Sequence, residues 1–427
     1  MKKFLHNEDL LLSKKHFRVN DEYTVTDGEH GSVEYLENGI MYLTAENIKS
    51  GFVDVSNIKY VSKDVDLRNK RARVETQDIL ISIKGTLGQV AIAESWLNPC
   101  NMNRDVAIIK AKNNNIKNEY LTVFLMSSFG EIQSLRGGSG GVQQMITLER
   151  LRNFIVPELS ADFYHKIQEL YKESLSNLSK SKHLYSEAEE ILLSELGLKN
   201  WQPNNTPANI KQLKESFLAS GRLDAEYYQT KYEDYAGFIR KYKNGFDVLG
   251  NVCSLNEKNF NPEDDIKYNY IELSNIGNSG EITGCTSAIG AELPSRARRL
   301  VHTNDVIVSS IEGSLQSVAL VTDEYDKAIC STGFYVVKSE TINPETLLVL
   351  FKSEPMQNLL KQGCSGTILT AIGRNELQNI VMPKIRNEVQ KEIAEYVQKS
   401  ISLRKEAKQL LENAKLQVED AISTPPI

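Results

Sequence analysis

The feature that most constrains this fold is an internal repeat: segments 226 to 229 positions apart match in order and spacing. Met41-Tyr-Leu-Thr-Ala-Glu-Asn-Ile48 and Asn269-Tyr-Ile-Glu-Leu-Ser-Asn-Ile276 share Tyr, Asn and Ile at a common offset. Thr76-Gln-Asp-Ile-Leu-Ile-Ser82 matches Thr303-Asn-Asp-Val-Ile-Val-Ser309, and Gly85, Leu87 and Val90 match Gly313, Leu315 and Val318. Gly137, Ser139 and Gly140 match Gly363, Ser365 and Gly366. Leu151-Arg-Asn-Phe-Ile-Val-Pro157 closes one unit as Leu377-Gln-Asn-Ile-Val-Met-Pro383 closes the other. Self-similarity over so long a period marks a duplicated structural unit, and 427 residues leave room for two to four domains.

Each unit reads as a β-rich part followed by a long helix. Asp78–Ser82, Gln89–Ala93 and Val106–Ile109 are short apolar runs bounded by Gly, Asn and Pro, as are Val306–Ser309, Ser317–Val321 and Gly333–Val337; these are strand signals. A short helix is expected near Glu119–Phe129 and near Glu345–Ser353. From about Ala161 to Leu196 and from about Arg386 to Ala421 neither Pro nor Gly occurs. There Ile167, Tyr171, Ser174, Leu178, Ser181, Tyr185, Ala188 and Leu192 recur at alternating spacings of four and three. Ile393, Val397, Ser400, Arg404, Ala407, Leu411, Ala414 and Val418 do the same. That is a heptad seam diluted by small and polar residues. Each rod of about 36 residues would span roughly 54 Å at 1.5 Å per residue. The alternative is two independent surface helices; two similar rods can bury both seams by packing antiparallel. Gly197 is placed to stop the first rod, and Trp201 to pin the linker against something apolar. The expected plan is α+β: a first β-rich domain over 1–158, a helix over 159–198, a second domain over 199–384 and a second helix over 385–422, with pseudo-two-fold symmetry.

Composition removes several classes. No apolar run reaches the roughly 18 residues of a membrane span, and His6, Glu8 and Asp9 interrupt the basic start, so a cytoplasmic protein is expected. Five cysteines lie far apart with no C-x-x-C pair, which argues against a disulfide framework or structural zinc. A phosphate-loop motif is absent, as is a Gly-rich loop opening a helix where adenosylmethionine would sit. Thr424-Pro-Pro-Ile427 lacks both the amide or acid and the aromatic that would hold a flipped base. Ser179-Lys-Ser-Lys182 fits S-x-x-K only on a polar helix face. No enzyme is expected. The net charge of −6 counts against a simple nucleic-acid binder, although local patches decide binding.

Several segments resemble the specificity subunits of type I restriction–modification systems. They are Thr26-Asp-Gly-Glu-His-Gly31, Arg222-Leu-Asp-Ala-Glu-Tyr-Tyr228 with Leu249-Gly-Asn-Val252, Cys330-Ser-Thr-Gly-Phe-Tyr335, and the Leu-Gly-Leu…Trp-Gln-Pro stretch ending at Pro203. The first half departs from the pattern, with only Arg18-Val-Asn-Asp-Glu-Tyr23 as an echo of the Arg222 segment. The resemblance implies two target-recognition domains, each reading one half of a bipartite, asymmetric double-stranded DNA site. It implies helices that fix their separation and seat two methyltransferase subunits, with restriction/translocase subunits added. Adenosylmethionine and ATP would be bound by those partners. A protein-interaction scaffold that binds no DNA is the rival from another class.

Arg68, Lys70, Arg71 and Arg73 form the densest basic run of the first half, and Arg296, Arg298 and Arg299 stand at the corresponding place in the second. A single charge run is ordinarily a solvated face; its recurrence points to phosphate contacts and bidentate guanine readout. Gly138, Ser139 and Gly140, and Ser365 and Gly366, could bring backbone close to phosphates, or form plain surface loops. Lys84 and Arg104 sit near strand ends as weaker candidates. His30 fits a structural turn hydrogen bond better than a ligand or base. Ile167, Tyr171, Leu178, Tyr185, Leu192, Ile393, Val397, Ala407, Leu411 and Val418 are the expected helix-seam and partner positions.

Overall fold

A computed structural model of the chain describes residues 9–113, 117–135, 145–204, 206, 208–366 and 370–424. Contacts divide it into two units, Met1–Ser179 with Leu403–Ile427, and Lys180–Ser402. The Gly137-Gly-Ser-Gly-Gly141 run, with Gly138, Ser139 and Gly140, lies outside the described residues, as do residues 1–8 and the tail after Thr424.

In the first unit the central sheet is antiparallel, in the order Tyr23–Asp27, Val106–Ala111, Ile79–Ser82, Val90–Ile92. In the second the order is Cys253–Asn256, Phe334–Ser339, Val306–Ser309, Val318–Leu320, again antiparallel. Ile79–Ser82, Val90–Ile92, Val306–Ser309 and Val318–Leu320 are buried at every position because both faces are covered. Ile79 and Ile81 enter one core, with Tyr120 and Phe124, while Leu80 enters another, with Leu43 and Met102. Val306 and Val308 part from Ile307 in the same way. The two-residue period of a strand sends neighbours to opposite faces, so a run buried on both sides loses polar alternation.

The Thr-x-Asp match is a shared turn. Gln77 and Asn304 adopt left-handed φ of 73° and 72°, a region Asn tolerates and Gln rarely enters. Their amides donate to Ala93 and Val321 at 2.8 and 2.9 Å. The buried carboxylates of Asp78 and Asp305 then accept from Glu75 N and His302 N at 2.7 and 2.8 Å. Burial raises both carboxyl pKa values.

A second sheet differs between units. Ile40–Leu43 pairs parallel with Cys100–Met102 and antiparallel with Lys59–Val61. Lys267–Ile271 pairs parallel with Ile329–Ser331, flanked by Thr286–Ile289 and Ala297–Leu300. The basic runs therefore match in sequence position but not in local structure. Arg68 ends helix Lys63–Arg68, and Lys70 and Arg71 lie in a 3-10 turn, whereas Arg298 and Arg299 lie on a strand.

The long helices are Ala161–Glu195 and Asn387–Ser423. In the first unit Ser174 Oγ donates to Ala407 O at 2.8 Å. In the second, Ser400 Oγ donates to Ser181 O at 2.7 Å and lies 3.0 Å from Ser181 Oγ. A later residue of one helix thus meets an earlier residue of the other, so the pair is antiparallel. The contacts occupy equivalent repeat positions, 174 with 407 and 400 with 181. Ile167, Tyr171, Tyr185, Leu192, Ile393, Val397, Ala407 and Val418 are buried; Leu178 and Leu411, at the same spacing, are half-buried. The first helix ends in the paired bonds of a Schellman stop, Leu198 N to Leu193 O at 2.7 Å and Gly197 N to Ser194 O at 3.0 Å. Gly197 has a φ of +75°, as such a stop requires. Trp201 then packs on Tyr235 and Phe238, ring centroids 5.3 and 4.8 Å away.

Candidate nucleic-acid interface

In the first unit the site is organised by the end of the Tyr23–Asp27 strand. The turn that follows runs beside residues 102–104: Glu29 N donates to Met102 O and Arg104 N to Glu29 O, both at 3.0 Å. Gly28 is required by this approach, because a Cβ there would lie 2.1 Å from Met102 O. Asp27, mostly buried, holds His30 Nε2 at 2.8 Å on one oxygen and Arg71 Nη2 at 3.5 Å on the other. His30 is thereby engaged in the turn itself. Asn69 Nδ2 donates to the Glu29 carboxylate, binding the basic run to the same turn and, with Gly31 N, holding that carboxyl below its ordinary pKa. A cleft of about 330 Å³ opens beside it, lined by Asp27, His30, Lys84, Arg104 and Asp105 over Ile83, Met145 and Ile146.

The basic residues separate by what they touch. Arg68, Lys70, Arg71 and Arg104 are exposed. Lys84 is half-buried, its Nζ 4.0 Å from Asp105. Arg73 instead forks onto buried Asp66, Nε at 3.0 Å and Nη2 at 2.5 Å, and Asn101 Nδ2 donates to the same carboxylate at 3.1 Å. These bonds pull the Asp66 pKa down; Arg73 is engaged within the unit.

In the second unit Asn256 pairs with Val336, and Glu257, the next residue, takes the place Asp27 has opposite Ala107. Glu257 gathers cations too: Arg374 Nη1 lies 2.9 Å from its carboxylate, and Arg299 Nη1 donates to its carbonyl. Arg299 also reaches Asn259 Oδ1 at 2.9 Å. Arg296 is exposed and 3.3 Å from Glu272; Arg298 is half-buried and donates to Ser295 O at 3.1 Å. Ser365 and Gly366 are exposed at a small hairpin in which Cys364–Ser365 pairs with Ala371–Ile372. The hairpin is tied to the sheet by the Ile311–Ala371 bridge and by Tyr335 Oη, which donates to Ile372 O at 3.0 Å. In the first unit the tie is the Lys84–Met145 bridge, with Ile146 N donating to Ile83 O at 2.9 Å.

In both units, then, one strand-end acidic residue collects an arginine of the basic run, Asp27 through its carboxylate and Glu257 through its main-chain carbonyl, and the segment after the Gly-rich stretch is bridged to the neighbouring strand. Residues far apart in sequence share that end of the sheet: 27, 104 and 145 in one unit, 257, 335 and 374 in the other. What they offer is mainly guanidinium, ammonium and hydroxyl donors, which suit phosphate oxygens and the O6 and N7 acceptors of guanine. Sequence reasoning missed Glu257, Tyr335 and Arg374. No motif surrounds them, and only the strand register makes them neighbours. Among the described residues no cluster of His, Cys, Asp and Glu suits a metal ion, and no helix is long and apolar enough to cross a membrane.

Residues 25–184 match the family of type I restriction modification DNA specificity domains. Over 195 residues the chain is 27% identical to the type I restriction enzyme EcoBI specificity subunit of Escherichia coli; the match covers 45% of this chain and 37% of that protein. Among solved structures, the S subunit of a type I restriction–modification system from M. genitalium aligns with a TM-score of 0.41 and 11% identity, over 97% of this chain and 96% of that one. The HsdS subunit of Thermoanaerobacter tengcongensis aligns with a TM-score of 0.31 and 13% identity, over 96% of each.

Proposed function

We propose that this chain, whose residues 25–184 match the type I restriction modification DNA specificity domain, is the sequence-reading, non-catalytic subunit of a modification complex. Each unit reads one half of a bipartite, asymmetric site in double-stranded DNA. The antiparallel helices set the spacing of the two readers and seat two methyltransferase subunits, with restriction/translocase subunits completing the assembly. Adenosylmethionine and ATP belong to those partners. The observation that carries the reading is the twice-built sheet end, where the Asp27 carboxylate and the Glu257 main-chain carbonyl each gather a basic-run arginine beside the segment after a Gly-rich stretch. Two readers of one plan but different surface chemistry suit a site whose halves differ.

Mapping methylated bases in the host genome, with and without this gene, tests it. The expected result is a two-block motif with a fixed spacer, methylated only when the gene is present. An identical methylation map without the gene would sink the reading and favour a protein scaffold.

A further inference from the structure

The segment Arg222-Leu-Asp-Ala-Glu-Tyr-Tyr228 occurs in one repeat only, and the interface described above makes no use of it. Its arginine is largely enclosed, with 16% of the side chain exposed. Arg222 forks onto Asp224, Nε to Oδ1 at 2.8 Å and Nη2 to Oδ2 at 2.6 Å. The same guanidinium donates to the carbonyls of Gln362 at 3.4 Å and Cys364 at 2.9 Å. Those carbonyls lie where helix Glu354–Gly363 ends and the hairpin strand Cys364–Ser365 begins. The last carbonyls of a helix have no intrahelical donor, and a cation beside them is favoured. The contact closes from the other side as well: Gln362 Nε2 donates to Tyr227 O at 3.0 Å, and the Arg222 guanidinium lies 4.4 Å from the Tyr227 ring centre.

A hairpin with two residues in each strand has little stability of its own, and ordering it at the moment of binding would weaken binding. Here its base is held: Cys364 is 5% exposed while Ser365 is exposed. The first unit caps its matching helix differently, with Arg150 Nη2 donating to Gln133 O.

We propose that Arg222 and Asp224 are positioning residues that hold the Cys364–Gly366 arm of the second unit ready for DNA, so that their loss degrades only the half-site read by that unit. The proposal rests on the DNA-reading role argued above.

The test uses the full chain in its host. Methylated positions are mapped for the wild type, Arg222→Ala, Arg222→Lys and Asp224→Asn, and each purified chain is treated with a maleimide whose attachment is located by peptide mass. The expected result for Arg222→Ala is an unchanged first block and a second block that is relaxed or methylated about tenfold less, as loss of charge-assisted hydrogen bonds would give. Labelling of Cys364 should quicken by a similar factor. Arg222→Lys should not restore the wild-type pattern, because an ammonium cannot make the fork. If Arg222→Ala does not fold, Asp224→Asn, which keeps the guanidinium, decides the outcome by the same two readouts. Equal decay of both blocks, or an unchanged second block with Cys364 still protected, would overturn the clamp. If the wild type itself gives no two-block motif, the DNA-reading role fails, and the clamp's part in binding fails with it.

Discussion

Arg68 and Arg73 are five residues apart and alike in sequence, yet the structure gives them opposite roles. Arg73 neutralises Asp66, which is 8% exposed and also held by Asn101. Removing it strands a nearly buried carboxylate. Arg73→Ala should lower stability, read as an earlier urea midpoint. Arg68→Ala, at an exposed helix end, should change stability by less than about 0.5 kcal/mol. In the assembled complex Arg68→Ala should instead weaken duplex binding and flatten its salt dependence, as loss of one phosphate contact does. If the two variants behave alike in both assays, this division of the basic run is wrong. The run was visible in the sequence because charge is a property of residue type. Which arginine would be consumed internally was not visible, since Asp66 and Asn101 reach Arg73 only through the fold.

At the scale of elements, each unit fastens the long helices with its own device. In the first, Tyr171 Oη donates to Gly51 O at 2.7 Å and accepts from Ile92 N at 3.2 Å, joining the helix to the sheet edge. Its repeat partner, Val397, has no hydroxyl. Tyr171→Phe leaves two buried backbone groups without that partner and should cost about 1–3 kcal/mol, with faster amide exchange at Ile92; unchanged exchange there would count against the assignment. In the second unit Arg386, just before the second helix, forks onto Glu195 at the end of the first, at 2.8 and 2.6 Å, and Tyr242 Oη donates to it at 2.5 Å. The Arg386 bond leads in holding the Glu195 carboxyl down at about 2. A folded value below the unfolded value of about 4.3 means that the stabilisation is complete above that pH and fades as pH falls toward 2. Arg386→Ala should therefore move acid unfolding to higher pH in a circular dichroism titration; an unmoved acid midpoint would show the pair to be idle. Periodicity alone placed both helices, whose bounds differ from the Pro- and Gly-free stretches by no more than two residues. The tyrosine on the seam read simply as an apolar position, because its hydroxyl partners lie more than 70 residues away.

For the whole molecule, the net charge of −6 bears on the proposed DNA-reading role. Phosphate neutralisation needs clustered cations, and here several are already paired with carboxylates. The isolated chain should bind a random duplex weakly at physiological salt, if the proposed methyltransferase partners supply much of the positive surface; tight binding by the purified chain alone would contradict this. If the helices set the half-site spacing, four residues inserted between Leu175 and Tyr185 lengthen one helix by about 6 Å. That corresponds to about two base pairs at 3.4 Å each. The methylation map should then show an altered spacer, or no assembly, with both half-sites unchanged. Altered half-site bases would refute the division of labour between helices and readers.

The sequence by itself determined the duplication, the strands buried on both faces and the helix seam, because each follows from spacing along the chain: repeat offset, runs of apolar residues, alternating fours and threes. It also placed the Gly197 stop, whose left-handed backbone is a local demand. Only the tertiary structure decided which charges remain available. Pairing Tyr23–Asp27 with Val106–Ala111 and Cys253–Asn256 with Phe334–Ser339 brings distant side chains to one end of each sheet. There a carboxylate such as Asp27 or Glu257 selects its cations by distance, and distance in space is not written in any local stretch of residues.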